Sequence, residues 1–409
     1  MHEEAATSVL SDKRVAIVSA HFAPEVGYQE VDLACAFRRL GARVRVVTST
    51  RLSPNARTVV RREYQSGLAH TDGYEVVRLS PRLTLGPNVL GCNVGPSIDE
   101  FAPDHVILIA PGKLFGLELF SSEPSSWRRI VVLQDNSEAG PSRTSSAWGS
   151  RSRAVAHRLI KRPAYRRVVR NADRIILNVP ETRGIIEPWL GSRERELLAR
   201  KAVELRLGFD PEKFFFDHGQ RGEWRGRHGV DEDAIVLVTC TRATPAKRLE
   251  DVISSVSQLR AQGLSVRYVL AGLLDDTYEQ RLRRHAGAQP DPTAFLLLPV
   301  LRHDEMRELF CASDLGFWPQ AAITIQQAMG TGLSVVLRRR PSVSHLLTPG
   351  RNGWYVESGN TLEQALAQAT RVLKGLTVRE RLSRRAAVAD FNRSYLSYDV
   401  IAREMVDGF

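Results

Sequence analysis

The sequence predicts an α/β fold of two Rossmann-like, doubly wound parallel-sheet domains that face each other across a cleft. Two sets of short apolar strands alternate with helical patterns, which is typical of parallel sheets. A segment rich in glycine, aspartate and proline separates the two sets. The length of 409 residues also exceeds what one hydrophobic core usually organises. Because open sheets of this kind bind ligands beyond the carboxyl ends of their strands, we expect the functional site in the cleft.

The first set of elements begins with a strand at 14–19 and a turn-rich loop. The pattern EVDLACAFRRLG then predicts a helix, which Gly41 ends at the C′ position that favours glycine. A second strand is predicted at 43–49. The remaining strands of this set are predicted at 74–80, 105–110, 129–135 and 174–179.

The second set of elements follows the turn-rich segment LRLGFDPEKFFF at 205–216, where we place the domain boundary. From residue 362 onward the pattern is helical. These features predict an N-terminal domain at 1–207, a second domain at 208–390, and a C-terminal helix at 391–409 that packs back on the first domain. The strands of the second set are predicted at 234–240, 266–272, 294–300, 315–319 and 333–338.

The composition is that of a globular protein with excess positive charge: 43% of residues are hydrophobic, 25% are charged, and the net charge is +11. Such a charge favours an anionic partner, which is nucleic acid, an acidic membrane surface or a phosphorylated small molecule. Nucleic acid ranks last, since the chain has no zinc-ligand spacing, no aromatic RNA-binding motif and no helix-turn-helix signal.

Cysteine usage and the N-terminus predict a cytoplasmic protein. The four cysteines are scattered without a CxxC pair, which favours reduced thiols. The first residues, MHEEAATSVLSDK, lack an apolar signal region, and no run of about 18 apolar residues occurs. We therefore expect neither secretion nor a membrane span.

A strongly basic segment, RSRAVAHRLIKRPAYRRVVR at 151–170, contains no acidic residue. One interpretation is a surface that binds peripherally to anionic membranes. The other, which we favour, is a solvated helix face, because Pro163 is expected to interrupt the amphipathic pattern.

Two cations, Arg242 and Lys247, flank a loop directly after the first strand of the second domain and precede an amphipathic helical pattern. Cations at a strand end beside a helix N-terminus suit a diphosphate, because they neutralise charge on the oxygens of a departing nucleotide. Two solvated surface cations are the alternative, and spacing alone does not decide between them.

The surrounding motifs favour the diphosphate interpretation. Arg242 and Lys247 resemble the Arg-x4-Lys element of the retaining family 4 glycosyltransferases of the GT-B fold. Further segments resemble that family's motifs in the same order along nearly the whole chain. They are FAPEVGYQEVDLACAFRRLGARVRVVTS at 22–49, GFDPEKF at 208–214, YVLAGLLDD at 268–276, HDEMRELFCASDLGFWP at 303–319, AMGTGLSVV at 328–336 and PGRNGWYV at 349–356.

The resemblance implies an enzyme that transfers a sugar, with retention, from a nucleotide-diphosphate sugar of GDP or UDP type to a small-molecule acceptor. It implies no metal and no cofactor, and it leaves the oligomeric state open. Arg242 and Lys247 are the expected catalytic pair. On the acceptor side we expect Tyr28 and Gln29, with Glu30 either beside them or acting as a helix cap. Donor contacts are expected at Gly27, Gly272, Val300 and Leu301. At the two glycines, the absence of a Cβ permits close approach of the backbone to the donor.

One departure from the family concerns a glutamate pair that contacts the donor sugar and the ribose. Here the region reads WPQAAITIQQAMGTG, so Gln327 takes the second position and Gln320 is the nearest polar residue to the first. A glutamine still accepts a hydroxyl hydrogen bond, but without the charge the bond is weaker. Ile323, Thr324 and Ile325 are expected to open a helix whose N–H groups and Thr324 hydroxyl hold phosphate, a simple cap being the alternative for Thr324.

A second departure concerns a histidine that the family places after the strand predicted at 129–135. Ser137, or Asn136 with a one-residue shift, stands there instead. In the front-face mechanism described for the family, the leaving phosphate takes the acceptor proton, so a separate base is dispensable. A thiol acceptor, with a reference pKa of about 8.5, needs even less help. We therefore hypothesise an unusual donor sugar or a thiol-like acceptor in specialised metabolism, as in the S-glycosylation of lincosamide-type antibiotic biosynthesis.

Other classes of function stay open at this point. A catalytically silent homologue would bind a nucleotide or a partner protein, and a capsule or lipid-linked glycan transferase would work at a membrane surface. A hydrolase or epimerase could use the same fold. A dehydrogenase is disfavoured, because no GxGxxG follows a first strand.

Overall fold

The computed structural model describes residues 10–53, 56–58, 60, 62–85, 88–134, 161–274 and 276–407. The chain forms two compact units: Met1–Leu207 with Tyr398–Phe409, and Gly208–Ser397. Each unit contains one large sheet. Within the described ranges, no helix has both the length and the apolar character that crossing a membrane requires.

The first unit is built on an eight-stranded sheet and one small hairpin. Its strands are β1 (Arg14–Ser19), β2 (Arg43–Ser49), β3 (Gly67–Thr71), β4 (Tyr74–Leu79), β5 (Leu83–Leu85), β6 (Asn88–Leu90), β7 (His105–Ile109), β8 (Arg128–Leu133), β9 (Arg174–Leu177) and β10 (Ala202–Glu204). The large sheet has the order β10-β9-β8-β7-β1-β2-β4-β3, and β5 pairs with β6. All neighbours in the large sheet are parallel except β3, which is antiparallel to β4.

The second unit is built on a six-stranded, wholly parallel sheet. Its strands are β11 (Ile235–Cys240), β12 (Val266–Leu273), β13 (Phe295–Pro299), β14 (Leu315–Trp318), β15 (Ser334–Arg338) and β16 (Gly353–Val356). They lie in the order β13-β12-β11-β14-β15-β16.

Helices alternate with many of the strands in both units. In chain order they are α1 (Gln29–Arg39), α2 (Gly95–Phe101), α3 (described over 161–171), α4 (Glu181–Ile186), α5 (Ser192–Lys201), α6 (His218–Arg227), α7 (Leu249–Ala261), α8 (Thr277–Gly287), α9 (His303–Ala312), α10 (Ile323–Gly330), α11 (Leu362–Lys374), α12 (Val378–Leu396) and α13 (Tyr398–Val406).

The predicted strands are all present, and their ends differ from the prediction by no more than two residues. The helix after β1 is confirmed, and Gly41 follows it with φ 92°. The prediction missed β3, β10 and β16, which are edge strands of three to five residues, and also β5 and β6, which form the small hairpin. Edge strands lack neighbours on one side, so they do not need the continuous apolar run that marks a buried parallel strand. The antiparallel β3 also means that the first sheet is mixed rather than wholly parallel.

The C-terminal helix α13 is part of the first unit. Ile401 and Met405 are buried in the same apolar core as Phe37 of α1. Arg39 donates to Asp399 at 2.7 Å, which fastens the start of α13 to the end of α1. The helix before it, α12, remains in the second unit, so that unit extends to Ser397 and not to residue 390 as the sequence suggested.

The segment between the two sets of strands is anchored by an aromatic residue. Phe209 is fully buried in the core of the second unit, and its N–H donates to the carbonyl of Leu396 at 3.0 Å. Its ring lies so close to Gly330 that a Cβ there would come within 2.4 Å. The second unit therefore begins at Gly208 because the next residue already belongs to its core.

A buried ion cluster supports the amino ends of the strands in the second sheet. Asp314, directly before β14, accepts from Arg221 at 2.8 Å, from Arg225 at 2.5 Å and from the N–H of Val236 at 2.8 Å. Burial by itself raises the pKa of Asp314, but Arg221, Arg225 and that N–H outweigh it and hold the pKa below the usual range. The cluster thus joins α6 to β11 and β14.

We predict that Asp314→Asn lowers the free energy of unfolding by roughly 3 kcal/mol, because two buried guanidinium groups lose their anion. Because the folded pKa of Asp314 lies below its unfolded value of about 4, the stabilisation is present above that pH. It is lost as the pH falls through the folded pKa. Urea unfolding between neutral and acidic pH measures both effects, and the variant should lose part of the acid dependence.

The matched control is Glu357→Gln, which removes an exposed carboxylate that pairs with the exposed Arg339. Exposed pairs contribute little to stability, so its unfolding midpoint should stay near that of the unaltered protein. Equal midpoints for both variants would contradict the importance of the buried cluster.

Candidate active site

The second sheet reverses its strand order beside β11, which pairs with β12 on one side and with β14 on the other. All three strands are parallel, so their carboxyl ends lie at the same edge. A reversal of this kind leaves a crevice, because the loops on its two sides turn to opposite faces of the sheet. The loops that follow β11, β12 and β14 therefore form the candidate site of the second unit.

The loop after β11 carries the two predicted cations and is fixed by one of them. The Lys247 ammonium donates to the Thr241 hydroxyl and, at 2.9 Å, to the carbonyl of Arg242. Residues Pro245–Lys247 form a short 3-10 helix, and Arg248 then turns the chain into α7 with φ 49°. Arg242 and Lys247 are both partly buried on this one turn, as a shared ligand would require.

Gly272 permits this loop to lie directly on β12. It has φ 111° and sits at a β-bulge where the pairing of β12 with β13 shifts. The N–H of Ala243 donates to its carbonyl at 2.8 Å. A Cβ at Gly272 would lie 2.1 Å from the carbonyl oxygen of Thr241, so no other residue fits without moving the loop. The structure thus places Gly272 against the backbone of the cation-bearing loop.

The carbonyl oxygen of Cys240, the last residue of β11, joins this loop to the segment after β14. It accepts from Trp318 Nε1 at 2.8 Å and from Thr324 Oγ1 at 2.6 Å. Because a hydroxyl has one proton, the Thr324 hydroxyl is occupied and does not donate to phosphate in this arrangement. It does not cap α10 either, since the N-cap position belongs to Ala322.

Helix α10 begins at Ile323, as the sequence predicts. The N–H of Ile325 donates to the carbonyl of Ala322 at 3.1 Å. In the part of the chain that the structure describes, this leaves the N–H groups of Ile323 and Thr324 without a backbone acceptor at the helix start. These two N–H groups, rather than the Thr324 hydroxyl, are therefore the donors that this helix start leaves available to an anion.

The two glutamines at the expected glutamate positions have different surroundings. Gln320 Nε2 lies 3.3 Å from the carbonyl of Ala246, beside Lys247. Gln327 is 2% exposed within α10, and its Oε1 has no hydrogen-bond partner among the described residues. A buried acceptor without a partner is costly, so a donor supplied by a ligand or by water would stabilise this position.

The remaining donor candidates of the second unit, Val300 and Leu301, follow β13. This strand is separated from β11 by β12, so both residues lie at the same sheet edge but farther from the cations. Val300 is 47% exposed and Leu301 is partly buried. A large apolar side chain that is exposed at a sheet edge is compatible with contact to a flat ligand.

In the first unit, the candidates after β1 lie at the carboxyl edge of the large sheet. Gly27 has φ 59°, and Tyr28 is the N-cap of α1 without a side-chain hydrogen bond to it. Gln29 is 6% exposed, donates to Gln134 after β8, and accepts from Asn178 after β9 at 2.5 Å. Its amide is therefore occupied in connecting strand ends, so Gln29 orients its neighbours rather than presenting a free amide.

The two residues proposed in place of the family histidine, Asn136 and Ser137, lie outside the described residues. The first half of the basic segment does as well. In the second half, Pro163 lies within α3 as described over 161–171, so the proline does not interrupt the helix over those residues. Arg166 donates to the carbonyl of Trp189 at 3.1 Å and Arg167 donates to that of Phe120 at 3.0 Å.

Several residues of these sites were not found from the sequence. Thr241 follows β11 and Trp318 ends β14. Their positions at the carboxyl ends of apolar strands are a signal that the sequence contains. What each side chain contacts depends on which strands become neighbours, and the local pattern carries no information on that order.

Comparison with known proteins agrees with this geometry. Residues 220–388 match the family described as Glycosyl transferases group 1. The matched range lies within the second unit and contains Arg242, Lys247 and α10. Among curated protein sequences, none matches the chain. Residues 220–388 are therefore similar to this family of glycosyltransferases.

Solved structures show the same fold over almost the entire chain. Sucrose-phosphate synthase from Thermosynechococcus elongatus has a TM-score of 0.65 at 14% identity, covering 96% of this chain and 97% of its own. HepE from Anabaena, in complex with UDP, has a TM-score of 0.65 at 16% identity, covering 97% and 98%. WaaG, a glycosyltransferase involved in lipopolysaccharide biosynthesis, has a TM-score of 0.62 at 14% identity, covering 96% and 100%. The fold is thus the GT-B fold.

We predict that Gly272→Ala destabilises the second unit and displaces the cation-bearing loop, because it adds both backbone strain and a clash with Thr241. The control is Gly263→Ala, which has φ 79° but nothing within 4 Å of the added Cβ. The control carries only the cost of left-handed backbone, about 1–2 kcal/mol. Urea unfolding should give a clearly larger loss for Gly272→Ala, and similar losses would contradict the close contact.

Proposed function

We propose that this protein is a glycosyltransferase that moves a sugar from a nucleotide-diphosphate sugar to a small-molecule acceptor. The observation that carries the proposal is the position of Arg242 and Lys247 on one turn at the switch point of the second sheet. The match of this unit to the glycosyl transferases group 1 family supports it, as do the complexes of HepE with UDP and with UDP-glucose.

The chemistry proposed for this turn is electrostatic. Breaking the bond between the sugar and the diphosphate places negative charge on the phosphate oxygens, and two cations already in position lower the energy of that state. Lys247 is fixed by Thr241 and by the carbonyl of Arg242, so little reorganisation is needed when the charge develops. The N–H groups of Ile323 and Thr324 add two neutral donors from the neighbouring strand end.

We further propose that transfer proceeds with retention and without a metal ion. Two cations, Arg242 and Lys247, neutralise a diphosphate in the way that a divalent ion does in other transferases. The diphosphate oxygen that leaves the sugar can take the acceptor proton on the same face, so the new bond forms on the face from which the old one breaks. No separate base is needed in that scheme.

The half of the site that faces the sugar supports an unusual substrate. Gln320 and Gln327 occupy the positions where carboxylates are expected, and an amide binds a hydroxyl more weakly than a carboxylate does. We therefore propose a modified donor sugar or a thiol-like acceptor, in specialised metabolism of the kind that produces lincosamide-type antibiotics.

The first test is nucleotide binding. A thermal-shift screen with UDP, GDP, ADP and TDP should identify one that stabilises the protein, since stabilisation grows as RT ln(1 + [L]/Kd). Lys247→Ala should weaken the binding of that nucleotide about tenfold or more, because a charged hydrogen bond to phosphate is lost. Arg242→Ala should do the same, and both variants should lose transfer activity.

Arg248→Ala is the matched control for these variants. It removes the next cation along the chain, whose side chain is 77% exposed and pairs with Asp251. Its nucleotide affinity should remain that of the unaltered protein. An equal loss in Arg248→Ala and Lys247→Ala would indicate general attraction to positive charge, and no nucleotide shift at all would overturn the proposed function.

The second test is product analysis. The proton coupling constant at the anomeric position of the transferred sugar should show the same configuration in product and donor, and the rate should persist after treatment with EDTA. UDP-glucose and GDP-mannose with a plain sugar alcohol should be poor substrates compared with a modified sugar or a thiol acceptor. Inversion at the anomeric carbon would contradict retention, and loss of activity with EDTA would contradict metal independence. Fast transfer from UDP-glucose or GDP-mannose to a plain sugar alcohol would contradict the unusual substrate.

A further inference from the structure

The second unit contains a small cavity at the amino ends of its strands, at the opposite edge of the sheet from the candidate active site. Asp314, which precedes β14, and Ser334, which begins β15, form part of its wall. The cavity has a volume of about 20 Å³, which is room for one particle of the size of a water molecule. Helices α6 and α12 supply four arginines to its lining: Arg221, Arg381, Arg384 and Arg385.

Arg385 brings a buried charge to this cavity without a carboxylate partner. It donates to the carbonyls of Thr331 at 2.8 Å and Phe310 at 2.5 Å. It also donates to the carbonyl of Ser313 and, at 3.1 Å, to the Thr331 hydroxyl. All four acceptors are neutral groups. Burial lowers the pKa of Arg385 to about 10, so the guanidinium stays charged at neutral pH. A buried charge of this kind is costly unless an anion lies beside it.

A second buried guanidinium, that of Arg221, lies next to Arg385. Nη1 of Arg221 and Nη1 of Arg385 both donate to the carbonyl oxygen of Ser313. Arg221 also donates to Asp314 at 2.8 Å, but the other oxygen of this carboxylate accepts from Arg225 at 2.5 Å. The buried carboxylate is therefore shared by two arginines. Among the described residues, which include all of the second unit except residue 275, no carboxylate pairs with Arg385.

The other two arginines of the lining contribute buried N–H groups. Arg381 pairs with Asp233 at 2.7 Å and Arg384 donates to the carbonyl of Gly350 at 2.9 Å, in both cases through Nη2. Their Nε–H groups are buried and have no acceptor within the described part of the chain. The acids that pair with lining arginines from outside, Glu232 and Asp233, have side chains that are 50% and 71% exposed, so water screens them. An acceptor inside the cavity would therefore stabilise groups that the chain leaves unsatisfied.

The size of the cavity and the chemistry of its lining select a monatomic anion. Phosphate and sulfate carry four oxygens and exceed the space of one water molecule. A water molecule needs acceptors for its own protons, whereas both oxygens of Asp314 already accept from arginines. The hydroxyl of Ser334 is buried and makes no hydrogen bond to a described residue, so it is a further donor.

We propose that this cavity is a binding site for one chloride ion. Arg221 and Arg385 supply the charge, and the Ser334 hydroxyl and the buried N–H groups supply further donors. The ion joins α12 to the amino ends of β14 and β15, so it stabilises the packing of this helix on the second sheet. The inference is independent of the proposed function, because the cavity and the candidate active site lie at opposite edges of the sheet.

The test measures urea unfolding of the full-length protein at constant ionic strength while sodium chloride replaces sodium gluconate. Gluconate is too large for the cavity and keeps general screening the same. The unfolding midpoint should rise with chloride concentration, since a ligand that binds only the folded protein stabilises it by RT ln(1 + [L]/Kd). Bromide should act in the same way as chloride. Equal midpoints in chloride and gluconate would overturn the proposal.

Two variants connect this chloride dependence to the cavity. Arg385→Gln should abolish it, because the unpaired charge is lost. Ser334→Ala should shift it to several-fold higher chloride concentration, because one hydrogen bond is lost, and it serves as the test if Arg385→Gln does not fold. The matched control is Arg393→Gln, which makes the same charge change at an exposed position of α12 and should keep the full dependence. Equal losses in Arg393→Gln and in the two cavity variants would indicate general attraction to positive charge and would contradict a built site.

Crystals soaked in sodium bromide locate the ion directly. The anomalous scattering of bromine should give a peak in the cavity of the unaltered protein and none in Arg385→Gln or, at low bromide, in Ser334→Ala. A cavity that holds only water at saturating bromide would show that the site is wrong. Neither measurement uses a nucleotide, so failure of the chloride site leaves the glycosyltransferase proposal untouched, and failure of nucleotide binding leaves the chloride site untouched.

Discussion

The carbonyl oxygen of Cys240 is the point on which the candidate active site depends. It accepts from Trp318 Nε1 and Thr324 Oγ1, and so joins the carboxyl end of β11 to the end of β14 and to the first turn of α10. Burial raises the pKa of the Cys240 thiol to about 12, against the effect of Lys247, so the side chain stays neutral in the core. The backbone of Cys240 therefore organises the site, while its thiol has no chemical role there.

Both large sheets have a switch point in their strand order, but the side chains beside the two switch points differ. Each has a switch point where a central strand has neighbours that connect in opposite directions. In the second unit the loops supply cations, backbone N–H groups and a glycine bulge, which suit a diphosphate. In the first unit they supply an amide network around Gln29, which joins the start of α1 to the residues that follow β8 and β9.

The excess of positive charge has a partly structural explanation. Arg221, Arg225 and Arg385 are buried and donate mainly to backbone carbonyl groups at the end of α9 and in the following turns. The described arginines of the basic segment also donate to carbonyls or pair with an acid within the first unit. A net charge of +11 therefore overstates the charge available to an external anion. This is why the basic composition by itself did not identify the partner, whereas the location of particular cations did.

The sequence by itself determined most of the strands, their alternation with helices, and the two cations after β11. Those features are local, because periodicity, β-branched runs and turn residues act over a few positions. It did not determine the edge strands β3, β10 and β16, the pairing of the Thr324 hydroxyl, or the amide network around Gln29. Each of these depends on which distant segments become neighbours. In the first unit, residues that are far apart in sequence meet only because β7 pairs with β1, and that pairing is a property of the tertiary structure.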